Sequence, residues 1–169
     1  GCGPEASYSP LTVNNDNTVG GFARIAAIIN SEKTNSTGTT LVIDAGDFLM
    51  GTLFQGLEKE TGFQLRLMKS MGYDITCLGN HEFDYGPQWL ADVINTSHSK
   101  GEIPSFLIGN TIFDKKDVRD DALEKLLSDN IIGRKLVLEK DGVKFGFFSI
   151  LGKDAVRVSP KAAPVTFEK

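Results

Sequence analysis

Residues 75–84 read ITCLGNHEFD, and this stretch decides the fold. Its first four residues form a short apolar run, which predicts a buried β-strand, and a polar string begins at once with Gly79. The same change occurs upstream, where the run Thr39–Ile43 predicts a strand covered on both faces and Asp44-Ala45-Gly46-Asp47 follows it. Ligands of open α/β sheets bind beyond the carboxyl ends of the strands. We therefore expect both polar clusters at one edge of a sheet.

Helical periodicity alternates with these apolar runs along the chain. The dipeptide Asp141-Gly142 is the strongest hairpin signal. A tight two-residue hairpin turn requires positive φ at both central positions, and Asp-Gly is one of the pairs that adopt it readily. The pattern predicts an α/β fold with mixed β-sheets flanked by helices. The predicted elements are a helix with Phe22, Ile25, Ala26 and Ile29 on one face; a helix from about Thr61 to Met71 with Phe63, Leu67 and Met71 on one face and Gly72 as its left-handed end; a helix from Pro87 with Leu90, Val93 and Ile94 inward; a strand Ile103–Ile108; a helix from about Asp121 to Leu127; and hairpin strands Lys135–Lys140 and Val143–Ile150.

Length and composition are those of a single compact domain. The 169 residues, of which 40% are hydrophobic and 24% charged, exclude a disordered tail, a collagen-like chain and a coiled coil. No apolar run is long enough to span a bilayer. The net charge of −4 argues against a partner that is a nucleic-acid polymer. Residues 1–19 are predicted to form a loop, and residues 20–169 the core of the domain.

The side chains after the two strands have the chemistry of a catalytic site. Asp47 and Asn80 offer oxygen atoms that suit a hard cation. His81 can act as an acid, a base or a donor to an anion, and Asp84 is near enough in a turn to fix the tautomer of its ring. Together these residue types are candidates for a functional site at this edge of the sheet.

Each of these residues also has a purely structural interpretation. Aspartates such as Asp44 often close turns or cap helices, an asparagine after a strand often forms an Asx turn, and a lone histidine often lies in a solvated loop. Gly46 and Gly79 remove side chains just before the key residues, so that backbone and ligand can approach closely. The coincidence of both clusters at neighbouring strand ends favours the functional interpretation.

Four segments resemble the 5′-nucleotidase branch of the calcineurin-like metallophosphoesterases. They are Gly21–Ile25, Ile43–Asp47, Gly79–Asp84 and the hairpin at 141–149, and they occur in the family's order. The resemblance covers most of the chain from about Gly20. It implies a partial αββα sandwich and metal-dependent hydrolysis of phosphate esters, above all nucleotides, of the 5′-nucleotidase, UDP-sugar hydrolase or 2′,3′-cyclic phosphodiesterase type. It also implies a periplasmic, cell-surface or secreted location.

The resemblance further implies a role for each site residue. Asp47 corresponds to the carboxylate that bridges two divalent cations, such as Zn or Mn, and Asn80 to a ligand of the second cation. His81 and Asp84 correspond to the catalytic pair, which does not bind metal. The residues with an implied supporting role are Asp44, Gly46, Gly79, Glu82 and Phe83.

Part of the family's ligand set has no counterpart in the chain. Nothing before Gly21 fits the first Asp-x-His motif, and the one histidine after Asp84 is His98, which is expected to decorate a helix end. We therefore expect the chain to be an internal piece of a longer enzyme, inactive alone, with its cations weakly bound or absent. Exposed sheet edges are expected to make it self-associate. The alternative is a non-catalytic binding or scaffold module on the same fold.

Overall fold

The computed structural model describes residues 20–49 and 53–168, so the loop predicted over 1–19 lies outside the described residues. Helices and strands alternate as the sequence predicts, with additional short elements. The helices are α1 Phe22–Asn35, α2 Glu58–Thr61, α3 Phe63–Met71, α4 Pro87–Lys100, α5 Asp121–Ser128 and α6 Ala155–Val158. The strands are β1 Ile43–Asp44, β2 Ile75–Cys77, β3 Ser105–Leu107, β4 Thr111–Ile112, β5 Ile132–Gly133, β6 Lys135–Lys140, β7 Val143–Phe148 and β8 Thr166–Phe167, with 3₁₀ turns at Leu53–Leu57, His81–Phe83 and Pro160–Ala162.

A four-stranded parallel sheet in the order β1-β2-β3-β5 forms the centre of the fold. Asp44 pairs with Thr76, which places the ends of β1 and β2 side by side. Two antiparallel pairs, β4 with β8 and β6 with β7, complete the strands of the described part of the chain. The predicted α/β class with mixed sheets and flanking helices is confirmed, and the parallel pairing brings the two polar clusters to one edge.

Helix α4 lies at the centre of the hydrophobic core. Leu90, Val93 and Ile94 are completely buried, as predicted. The helix begins at Pro87, where the missing N–H leaves no hydrogen bond unmade. None of the helices in the described ranges is long and apolar enough to cross a membrane.

Tight turns account for the ends of two other predicted elements. Gly72 ends α3 in the left-handed conformation, as predicted. Asp141 and Gly142 have φ values of 53° and 76°, which confirms the predicted hairpin turn between β6 and β7. The side chain of Thr39 donates a hydrogen bond of 2.8 Å to Asp141, and so ties this turn to the segment before β1.

Two details of the sequence prediction are wrong. The run Thr39–Ile43 is not a strand covered on both faces, because β1 has only two residues and Ile43 is 51% exposed. The reason is that β1 lies at the edge of the parallel sheet and pairs only with β2 among the described strands.

The predicted face of the second helix is wrong in part: Met71 is buried and Leu67 packs against the core, but Phe63 is exposed. Gly62, which is left-handed, separates the short α2 from α3, so the helix begins anew at Phe63. Phe63 is 43% exposed, and the buried residues of α3 are Leu65, Met68 and Met71, which repeat every three residues rather than every four.

The buried carboxylate of Glu82 joins the loop after β1 to the loop after β2. Its Oε2 accepts the N–H groups of Asp47 and Gly79 at 2.8 and 2.6 Å, and its Oε1 accepts those of Phe48 and Leu49 at 2.9 and 3.1 Å. Burial raises the pKa of the Glu82 carboxyl above its ordinary value, and the backbone donors oppose that rise. This arrangement, the Glu82 anchor, satisfies four backbone N–H groups with one completely buried side chain.

Replacement of Glu82 by glutamine tests this anchor. The new amide group faces two of the four N–H donors and leaves them unpaired, so we expect Glu82→Gln to lower the free energy of unfolding by about 2–4 kcal/mol. Urea denaturation followed by circular dichroism measures the loss. The matched control is Glu58→Gln, because Glu58 is also buried but its carboxylate accepts the N–H of Gln64 through a single oxygen. Equal losses in the two variants contradict the anchor.

Candidate active site

Four of the residues singled out in the sequence lie together at the edge formed by the ends of β1 and β2. Asp47 follows β1 by three residues, and Asn80 follows β2 by the same distance. The backbone N–H of His81 donates to Oδ1 of Asp47 at 3.0 Å, which joins the two loops a second time. Asp84 lies at the end of the 3₁₀ turn that begins with His81.

Asp47 occupies a strained backbone conformation that directs its carboxylate toward the second loop. Its φ of 62° is uncommon for a residue other than glycine. The bonds to Glu82 and His81 hold it there, and such strain persists where surrounding contacts over-determine the conformation. The residue is exposed, so its carboxylate is open to a ligand from solvent.

The two loops approach so closely that two positions require glycine. A Cβ atom on Gly46 would collide with the backbone nitrogen of Gly79, and one on Gly79 would collide with Oδ1 of Asp47. Gly46 also has a φ of 97°, which disfavours other residues. These glycines therefore allow the carboxylate of Asp47 to lie against the second loop.

His81 and Asp84 form a hydrogen-bonded pair. Nδ1 of the imidazole lies 2.8 Å from Oδ2 of Asp84, because one 3₁₀ turn brings residues three apart to the same side. This bond is the largest cause that raises the pKa of His81, and the carboxylates of Asp84, Asp47 and Glu82 add to it. The pair holds the proton on Nδ1 and leaves Nε2 available, since 42% of the histidine side chain is exposed.

Asp44 stabilises the turn that precedes Asp47. Its Oδ1 accepts hydrogen bonds from the N–H of Gly46 at 2.9 Å and from the hydroxyl of Thr76 at 3.0 Å. The thiol of Cys77 donates to its backbone carbonyl. These contacts agree with the structural interpretation of Asp44, which orders the loop from within.

His98 is not part of the cluster formed by Asp47, Asn80, His81 and Asp84. It is exposed near the end of α4 and lines a surface depression with Lys69 and Glu102. None of these residues is a member of the candidate site, in agreement with the expectation that His98 decorates a helix end.

Sequence reasoning missed one residue that contacts the site. The hydroxyl of Ser159 donates to the backbone carbonyl of Asn80 at 2.7 Å, although 79 positions separate the two residues. The sequence around it contains prolines and indicates only a turn. No local signal could have shown which distant carbonyl this hydroxyl reaches.

The site fits divalent cations in donor type but not in number. Asp47 and Asn80 contribute a carboxylate and an amide oxygen, which are suitable donors. Within the described ranges, no group of three or more His, Cys, Asp or Glu side chains could hold a metal ion. Catalytic zinc sites commonly use three protein ligands, so Asp47 and Asn80 alone would not complete such a site.

No protein-family model matches the chain. Among curated proteins, the 5′-nucleotidase of Bos taurus is 39% identical over 84 residues, which are 50% of this chain and 14% of that protein. The apyrase of Anopheles gambiae is 30% identical over 144 residues, 85% of this chain and 23% of that protein. The trifunctional nucleotide phosphoesterase protein YfkN of Bacillus subtilis is 29% identical over 157 residues, 81% of this chain and 10% of that protein. The chain thus spans less than a quarter of each relative.

Solved structures show the same relationship. The 5′-nucleotidase precursor from Thermus thermophilus has a TM-score of 0.70 at 26% identity, and the aligned region is 89% of this chain and 27% of that chain. The Haemophilus influenzae NAD nucleotidase has a TM-score of 0.68 at 25% identity over the same shares. Together with the parallel β1–β2 edge and its polar clusters, these similarities show that the chain belongs to the 5′-nucleotidase branch of the calcineurin-like metallophosphoesterases.

Proposed function

We propose that this chain supplies part of the active site of a metal-dependent hydrolase that cleaves phosphate esters, with nucleotides as substrates. The observation that carries the proposal is the hydrogen-bonded pair of His81 and Asp84, which lies on the same loop as Asn80 and is bonded to Asp47. The names of the relatives support nucleotides, since they include nucleotidases, an apyrase and a nucleotide phosphoesterase.

Asp47 and Asn80 are the proposed ligands of a pair of divalent cations such as Zn or Mn. Asp47 would contribute its carboxylate and Asn80 its amide oxygen to holding them. The remaining ligands would come from outside the described residues, so binding by this chain alone is expected to be weak. Such cations, when bound, activate water and stabilise the charge on a phosphoryl group.

His81 is the proposed catalytic residue of the chain, and Asp84 orients it. The proton at Nδ1 is held by the Asp84 carboxylate, so Nε2 is the ring nitrogen that faces the substrate. The raised pKa of His81 favours the charged imidazolium, which can stabilise negative charge on the phosphoryl oxygens or protonate the leaving oxygen.

A non-catalytic binding or scaffold module on this fold is the second candidate. The observation that favours it is that the described residues include no group of three or more His, Cys, Asp or Glu side chains that could hold a metal ion. The other acidic side chains near Asp47 are already engaged: Asp44 and Glu82 accept backbone N–H groups, and Asp84 bonds His81. The two candidates differ in whether a cation binds at Asp47.

A periplasmic, cell-surface or secreted location is also proposed. It is supported by relatives such as the snake venom 5′-nucleotidase of Gloydius brevicauda, which is 42% identical over 77 residues. The described residues themselves show only that no helix is long and apolar enough to span a membrane.

Replacement of His81 by alanine tests the catalytic assignment. In a longer protein that contains this chain and its flanking sequence, supplied with Mn²⁺, His81→Ala should lower the rate of phosphate release from a nucleoside monophosphate by about 10²–10⁴-fold, because the acid–base group is lost. His98→Ala is the control and should leave the rate unchanged, since His98 is exposed near the end of α4 and is not one of the proposed site residues. Full activity of His81→Ala would reject the assignment.

Replacement of Asp47 by asparagine tests the metal site, both in the chain itself, where binding is expected to be weak, and in the longer protein. Because Asp47→Asn removes a negative charge and a carboxylate oxygen, Mn²⁺ affinity measured by isothermal titration calorimetry should fall at least about ten-fold. Asp129→Asn, which alters an exposed aspartate at the end of α5, serves as the control. No Mn²⁺ uptake, even in the longer protein, would support the binding module instead.

Self-association of the chain is a further expectation, and analytical ultracentrifugation tests it. The outer edge of β1 has no partner among the described strands, and the hairpin exposes Val137 and Phe148 by 69% and 74%. Open strand edges and apolar side chains favour pairing with another copy, so the sedimentation coefficient should rise with concentration. A monomer at all concentrations, with intact sheet content by circular dichroism, is the contrary result.

A further inference from the structure

Ser159 links the distal part of the chain to the turn that carries the candidate catalytic pair. We propose that Ser159 is a positioning residue, whose hydroxyl holds Asn80 and Asp84 in the arrangement that orients His81. The structural part of this inference stands on the contacts of the hydroxyl. Its consequence for catalysis rests on the proposed function.

Backbone hydrogen bonds to residues before and after Ser159 fix the position of this residue. The residue lies between α6 and the turn Pro160–Ala162, and it is 3% exposed. Its N–H donates to the carbonyl of Ala155, and its carbonyl accepts the N–H of Ala162, both at 2.9 Å. The backbone therefore fixes the direction from which the hydroxyl reaches the site.

The single hydrogen of this hydroxyl has two acceptors within reach. The carbonyl oxygen of Asn80 lies at 2.7 Å and is the principal acceptor. Oδ1 of Asp84 lies at 3.4 Å, and the other oxygen of that carboxylate bonds His81. Ser159 thus contacts the backbone of one proposed metal ligand and the carboxylate that orients the imidazole.

The carbonyl of Asn80 also closes the 3₁₀ turn at the site. It accepts the N–H of Phe83 at 3.2 Å, so Ser159 occupies a second position on the same oxygen. Loss of the hydroxyl leaves this oxygen with one partner and frees the turn to shift. Catalytic groups require placement within about 0.5 Å, so a small shift of Asp84 would misorient His81.

Contacts other than the Ser159 hydroxyl also hold the surrounding segment in place, so the effect of the hydroxyl can be tested separately from packing. Ala162 and Val165 are completely buried in the core. Nζ of Lys161 lies 5.5 Å from the centre of the Tyr85 ring, beside Asp84 in sequence. The segment should therefore stay docked when only the hydroxyl is removed.

The test compares Ser159→Ala with Ser97→Ala in the 169-residue chain by NMR. Ser97 is the matched control, because it is completely buried and its hydroxyl also donates to a backbone carbonyl, that of Val93, at 2.7 Å. In Ser159→Ala we expect amide hydrogen exchange of Phe83 to accelerate about five-fold or more. At a pH where the ring of His81 is neutral, we also expect its imidazole ¹⁵N shifts to move toward a mixture of tautomers. Neither change should occur in Ser97→Ala.

Unchanged exchange and unchanged imidazole shifts in Ser159→Ala overturn the proposal. A second variant, Ser159→Cys, keeps a weak donor of similar size and should give an intermediate effect, provided that circular dichroism shows a native spectrum. If both Ser159→Cys and Ser159→Ala show the hydrogen exchange and imidazole shifts of the unsubstituted chain, the hydroxyl has no positioning role.

Kinetics separate this inference from the proposed function. Where the longer protein releases phosphate, Ser159→Ala should lower kcat about ten-fold with little change in KM, and Ser97→Ala should change neither. A fall in kcat that Ser97→Ala shares overturns the proposal. Absence of activity in the unsubstituted protein counts against the proposed function alone, and the NMR comparison still decides the role of Ser159.

Discussion

The burial of one carboxylate between two loops is the interaction on which the rest of the site depends. Glu82 is completely buried and accepts four backbone N–H groups, three from the loop after β1 and one from the loop after β2. Both loops leave a parallel sheet, whose strands supply no hydrogen bonds beyond their ends. A buried N–H without a partner is strongly unfavourable, so the anchor replaces the missing ladder.

The anchor explains how strained and crowded backbone can persist at the surface. Asp47 has a positive φ, and its carboxylate lies where any side chain on Gly79 would collide. Such geometry survives only when the surrounding contacts leave no relaxed alternative. Here the bond from its N–H to Glu82 and the bond from the N–H of His81 to its side chain provide that constraint. The candidate site is thus held by hydrogen bonds from backbone N–H groups to the carboxylates of Glu82 and Asp47.

Membership of the 5′-nucleotidase branch is consistent with the small share of its relatives that the chain spans. The chain aligns with about a quarter of two solved nucleotidases and with smaller shares of several curated relatives. Its described residues bring together the His81–Asp84 pair and the carboxylate of Asp47, which accepts the backbone N–H of His81. Ser159 shows that residues far along the chain also contribute contacts to this edge of the sheet.

Local patterns in the sequence determined the elements, and tertiary contacts determined how the elements meet. The start of α4 at Pro87, the turn at Asp141 and the polar clusters after β1 and β2 could be predicted, because turn chemistry and hydrophobic periodicity act between neighbours in sequence. The exposure of Ile43, the inner face of α3, the partners of Glu82 and the reach of Ser159 to Asn80 could not. Each depends on which distant segments lie together, since burial and hydrogen bonding to distant groups are properties of the assembled fold that no local pattern encodes.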